Sequence, residues 1–283
     1  MKGVSPRPGG TGKTRYYYMS MKRAFRLPLR TKHSMRLFFG VLLPSCLAAA
    51  VFTGCFPRGR SEQEACMYYY GVQQYKLAID PLTKAMKNEL FEMQYYLAKC
   101  YLEGLGVGKD EGKAFDLLQG ISPVDQVSAK TELGKCYLNG IGTAKAPEMA
   151  VQCFREAEAA GDGEAAYLLS LCLEKGEGVA QDETGAKTFL RKAAKQGHPA
   201  AQFHLAELYF NGTGITRDAV RAAGWCREAA INDLPEAQFN LAACYENGEG
   251  VEKDLEQAVR WYGKAADWGD ADALAALDRL GAK

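Results

Sequence analysis

Residues that usually carry chemistry are scarce in this chain. It has three histidines among 283 residues, and its nine cysteines include no Cys-x-x-Cys pair, which removes thioredoxin-like and zinc-ribbon readings. From Cys55 onward there is no Ser-x-x-Lys, the arrangement that a serine acyl enzyme of the β-lactam type requires. His204 and Glu207 lie three apart and can share a helix face, but two ligands do not make a zinc site. His198, six positions before His204, does not complete the set, so a solvated histidine on a polar helix is the expected role. Acidic residues are absent from residues 1–36, which hold ten lysines and arginines. Of 35 basic residues, 25 then remain against all 34 acidic ones, so the rest of the chain is at −9. A body of that sign argues against generic nucleic-acid binding, which needs a basic face. The early GGTGKT resembles a phosphate loop, but Arg7 stands where the first glycine belongs, and no strand precedes it.

A repeat is what the chain does have. Gly104, Gly140, Gly176, Gly212 and Gly248 follow one another at intervals of 36 residues, each with a second glycine two positions later. A fixed period in this range marks stacked supersecondary units. One column holds Leu97, Leu133, Leu169, Leu205 and Leu241, and a tyrosine or leucine follows four residues on, so the two share a helix stripe. Beside the leucines runs a small column, Ala98, Gly134, Ser170, Ala206 and Ala242, where two helices can approach closely. The glycines end that helix. Asp110, Asp182, Asp218 and Asp254 are placed as N-caps of a second helix, whereas one repeat has Ala146 followed by Pro147. The second helix carries Ala114, Ala150, Ala186, Ala222 and Ala258, then Leu117, Cys153, Phe189, Trp225 and Trp261. Each unit is too small to bury its own stripe, so stacking must complete the core. The expected fold is all-α, a right-handed α-solenoid of 36-residue helix–turn–helix repeats.

The runs Ala201 to Ile215 and Asp254 to Ala266 resemble the Sel-one-like repeat family, a tetratricopeptide-related solenoid. The resemblance covers residues 65–283: a degenerate first unit around Ala78 and Ala85, five full repeats and a C-terminal capping helix over residues 271–280. It implies a protein-binding scaffold rather than an enzyme. Some members have been linked to peptidoglycan or β-lactam chemistry, which leaves an envelope enzyme accessory or ligand-binding protein as the alternative. Secreted members that pair cysteines within each repeat use a spacing not matched here. Cys100, Cys136, Cys172 and Cys244 instead share one column beside the stripe, as small buried hydrophobes would.

Ahead of the array, the basic residues lead into an apolar run over residues 37–52, too short for an ordinary spanning helix but suited to a signal-peptide core. The run ends Phe52-Thr53-Gly54-Cys55, which resembles a bacterial lipobox with Cys55 as the lipidated residue. An uncleaved anchor is the alternative reading of the same run, and Met21 or Met35 would each begin a more typical leader. The organisation expected is a leader over residues 1–54, a tether over residues 55–64 and the array over residues 65–283.

Partner specificity is expected on the first helices, which line the concave side of such solenoids. Positions one before and two after each leucine escape the packing code: Tyr96 and Lys99, Glu132 and Lys135, Leu168 and Leu171, His204 and Glu207, Asn240 and Ala243. Exposed leucine beside tyrosine suits a protein or peptide. The reading is a lipid-anchored interaction scaffold of the bacterial cell envelope, with a protein partner and a membrane contact but no nucleic acid, metal or cofactor.

Overall fold

The computed structural model describes residues 69–71, 73–87, 91–121 and 127–282. The leader, the tether and Cys55 lie outside them. The described residues form helices with no strands, and none of these helices is long and apolar enough to cross a membrane.

Helix α1 (Tyr75–Lys87) belongs to a compact unit that ends at Lys87. It buries Ala78 and Leu82. The second compact unit runs from Asn88 onward and holds the glycine-paired repeats.

That unit contains five helix pairs and a closing helix: α2 (Phe91–Glu103) with α3 (Glu111–Gln119), α4 (Val127–Asn139) with α5 (Pro147–Ala159), α6 (Gly163–Lys175) with α7 (Glu183–Lys195), α8 (Pro199–Asn211) with α9 (Ala219–Ile231), α10 (Pro235–Asn247) with α11 (Leu255–Asp267), and α12 (Ala271–Arg279). Each helix packs on its chain neighbours, which is the stacking of an α-solenoid.

The repeat columns account for this. Leu97, Leu169, Leu205 and Leu241 are buried, while Leu133 is half-buried. The small column lets the second helix close in: a Cβ on Gly134 would lie 2.5 Å from Cε1 of the fully buried Phe154. Asp110, Asp182, Asp218 and Asp254 each accept a backbone N–H from the first turn of the following helix. Ala146 makes no such bond, and α5 starts on Pro147 instead.

The double glycine has two separate jobs. Gly248 ends α10 in the left-handed conformation, at φ 73°. Gly250 abuts the Ala219 carbonyl at the start of α9 in the preceding repeat, where any Cβ would collide with backbone. The first glycine stops a helix and the second lets neighbouring repeats touch.

In the Trp column only Cys153 is buried. Trp225 and Trp261 are half-buried at the edge of the core. The deep position is one residue later, where Leu118, Phe154, Leu190, Cys226 and Tyr262 are buried. The six cysteines among the described residues are free and buried. Burial pushes the thiols of Cys100, Cys136, Cys172 and Cys244 up to about 11.

Candidate functional site

The positions that escape the packing code fall on α2, α4, α6, α8 and α10, along the first-helix face of the array. Their surroundings differ from repeat to repeat. Tyr96 is half-buried and meets Tyr95 edge to face at 5.5 Å. Lys99 lies 3.9 Å from Glu103 and 5.9 Å from the centre of the Tyr95 ring.

Lys135 does not present a free cation. Its Nζ lies 3.1 Å from Glu132 and 2.5 Å from Glu164 on the next repeat. Burial by itself would lower its pKa, but the two carboxylates outweigh that and hold it above the usual lysine value. Two acids around one base leave this patch negative.

Leu168 is half-buried and packs against the core around Phe154 and Leu169, so it is less exposed than the sequence suggests. Leu171 is also half-buried. His204 is not a freely solvated side chain either. It is half-buried, stands edge-on to Tyr167 at 6.3 Å, and its Nε2 is 4.0 Å from Glu174. Glu207 is exposed. Asn240 is exposed and donates to the Glu236 carbonyl at 3.0 Å, while Ala243 is half-buried.

The structure thus brings Glu132 and Lys135 together as an ion pair. It adds residues that the sequence reading passed over. Two positions before each leucine run Tyr95, Thr131, Tyr167, Phe203 and Phe239, of which all but Thr131 are half-buried aromatics. Their 36-residue spacing was the available signal. At the gap, Thr131 is buried and donates to Asp162 at 2.7 Å. His198 caps α8 through Nδ1 and stacks on Tyr167 at 4.9 Å. Burial, and then Glu174 and Glu207, raise the Tyr167 phenol, which places both carboxylates near its ring.

The arrangement is therefore a row of aromatic rings flanked by carboxylates. Helices α8 and α10 contribute Glu207, Glu236 and Glu246 but no lysine or arginine. Among the described residues, no three His, Cys, Asp or Glu side chains are grouped to hold a metal.

Comparison with known proteins gives one family. The Sel1 repeat matches residues 92–119, 127–162, 163–198, 199–234 and 235–270, which are the five helix pairs. Among solved structures, a Sel1 repeat protein from Oxalobacter formigenes is 28% identical with a TM-score of 0.68, over 72% of this chain and 60% of that one. An antigen of uropathogenic Escherichia coli, c5321, described as protective and as having an SLR fold, is 25% identical with a TM-score of 0.62, over 75% of this chain and 47% of its own. The chain thus spans under two thirds of either protein. The immunity protein PA5088 from Pseudomonas aeruginosa, at 19% identity and a TM-score of 0.51, covering 77% of this chain and 90% of its own, shares the fold. No curated protein sequence matches the chain.

Proposed function

The chain belongs to the Sel1 repeat family, and from that premise we propose that it is an interaction scaffold whose first-helix face takes a protein or peptide. Sel1 repeat proteins generally mediate protein–protein interaction, and scaffolds of this kind are generally non-enzymatic. The observation that carries the reading is the aromatic column Tyr95, Tyr167, Phe203 and Phe239. It runs beside a position that holds a different residue in each repeat, Tyr96, Glu132, Leu168, His204 and Asn240. Packing explains a constant column, whereas a variable one on the same face is free to encode a partner. We place the scaffold at the cell envelope, held by lipid on Cys55, because the basic stretch, apolar run and small residues before that cysteine fit a lipoprotein leader.

Site-specific photocrosslinkers in the native host test the face. Crosslinkers at Leu171 and Glu207 should trap one common protein, while one at Thr188 on a second helix should not. Equal trapping at all three sites, or none at the first two, would refute the assignment. Intact mass tests the anchor: loss of everything before Cys55 plus acyl mass is expected, and an unmodified chain retaining residues 37–54 would rule it out.

A further inference from the structure

The second helices turn an outer stripe to solvent, and on two of them it lacks carboxylates. On α7 this stripe is Thr184, Thr188, Arg191 and Lys195, all exposed. On α9 it is Val220, Gly224, Arg227 and Ile231. Val220 is 70% exposed and Ile231 57%, the two highest values among the exposed large hydrophobics of the described residues. Packing does not require them, because the same positions hold Thr184 and Lys195 on α7, and Glu256 and Asp267 on α11.

The cations have a pattern as well. Arg155, Arg191 and Arg227 recur at the 36-residue period, on α5, α7 and α9. Arg155, Arg191 and Lys195 make no ion pair or hydrogen bond with any described residue, whereas Arg227 donates to the Tyr245 hydroxyl at 2.9 Å. Of the acids on α7 and α9, Glu183 is paired with Lys187 at 3.3 Å, and Glu228 lies beside the stripe rather than on it.

We propose that the outer stripes of α7 and α9 dock on an anionic lipid bilayer, with Arg155, Arg191 and Lys195 meeting headgroup phosphates and Val220 and Ile231 entering the interfacial layer. Val220 and Ile231 stand about 16 Å apart along α9, at about 1.5 Å per residue, with only Gly224 and Arg227 on the stripe between them. A protein hot spot needs an anchor packed among neighbours, which neither residue has. Isolated aliphatics next to a helix whose outer stripe carries unpaired cations suit the headgroup boundary, where apolar side chains insert shallowly and each basic residue adds affinity. The surface is independent of Cys55 lipidation and lies on helices other than those of the proposed protein-binding face.

The test uses the full chain with vesicles carrying a photoactivatable lipid, with labelled peptides identified by mass spectrometry. On phosphatidylglycerol vesicles, label should appear in α7 and α9, and on phosphatidylcholine vesicles it should drop at least about tenfold. The double change Arg191→Glu with Lys195→Glu should lower the α9 label by at least about tenfold without altering the thermal melt. Val220→Ser with Ile231→Ser should lower it while leaving the salt dependence in place. Cys55→Ser, which cannot be acylated, should keep the same labelled helices. Label confined to the leader, label unaffected by the charge reversals, or label lost only in Cys55→Ser would overturn the surface. So would protection of these stripes by an acidic protein with no lipid label.

Discussion

The repeats at residues 127–162 and 199–234 have the same length and the same two-helix plan, yet they are held together differently. The first sets Gly134 against Phe154, starts α5 on Pro147 without a side-chain cap, and breaks the aromatic column at Thr131. The second sets Ala206 beside Cys226, caps α9 with Asp218, and keeps Phe203. The two fill the seam with different volumes as well as different residues. A phenyl ring opposite no side chain takes up more space than a methyl facing a thiol, so each repeat is packed to its own local shape.

Removing the ring should therefore give the largest effect. Phe154→Ala is expected to cost about 3–5 kcal/mol in denaturant melts, because the backbone at Gly134 cannot follow the lost atoms inward. Gly134→Ala pushes a methyl into the same ring and should cost about 1–3 kcal/mol. The corresponding change at Ala206 and Cys226, Cys226→Ala, should cost less than Phe154→Ala. Equal losses in the two repeats would mean that the cost does not follow the volume removed.

The missing cap gives the next effect, with opposite sign. Ala146→Asp should stabilise by about 1 kcal/mol, since Asp218 already makes this bond in the other repeat and Pro147 at the first helical position does not obstruct it. Asp218→Ala should lose about the same amount. A neutral result at Ala146 would indicate that Pro147 already supplies what the cap would.

These contrasts show how far the sequence could be read. The leucines, small column, paired glycines and capping aspartates are legible because each meets a backbone or packing demand that recurs in every unit. The deep position after the Trp column was not legible. Leu118, Phe154, Leu190, Cys226 and Tyr262 are united by burial alone, and each is fitted to what faces it. The candidate face was legible as a set of positions but not as contacts. Lys135 looks free in sequence and is held between two glutamates, one of them, Glu164, supplied by the next repeat. Leu168 looks exposed and partly serves the core.

The start of α8 distinguishes the later repeats in a pH-dependent way. Helices α6 and α12 are capped by Asp162 and Asp270, but α8 is capped by His198, whose Nδ1 must stay unprotonated to accept from Ala201. Burial lowers its pKa below the usual histidine value, with Lys135 acting in the same direction and Glu164 and Asp162 opposing. The unfolded chain then binds a proton that the folded one refuses. Stability should fall as pH drops below about 6.5, down to the folded pKa, and be recovered above it. His198→Asn keeps a capping group that does not titrate and should flatten the melts in this window. An unchanged slope would assign the titration elsewhere.

The smallest effect lies in the turn between α9 and α10. Gly161, Gly197 and Gly269 adopt positive φ in the corresponding turns, whereas this one uses Asp233 at φ 60°. An L-residue in the left-handed region is strained by about 1–2 kcal/mol, with aspartate among the residues that visit it more readily. Replacing it with glycine removes that strain but frees the unfolded chain, which costs roughly 0.5–1 kcal/mol. The two terms nearly cancel, so Asp233→Gly should change stability by less than about 1 kcal/mol, on the stabilising side. Asp233→Ala keeps the left-handed backbone with a residue that tolerates it less well, so it should destabilise by about 1 kcal/mol. The order of the three melts, glycine above aspartate above alanine, carries the argument. Alanine equal to aspartate would show that the turn relaxes out of the left-handed region, leaving the glycines in the other three turns without a conformational reason.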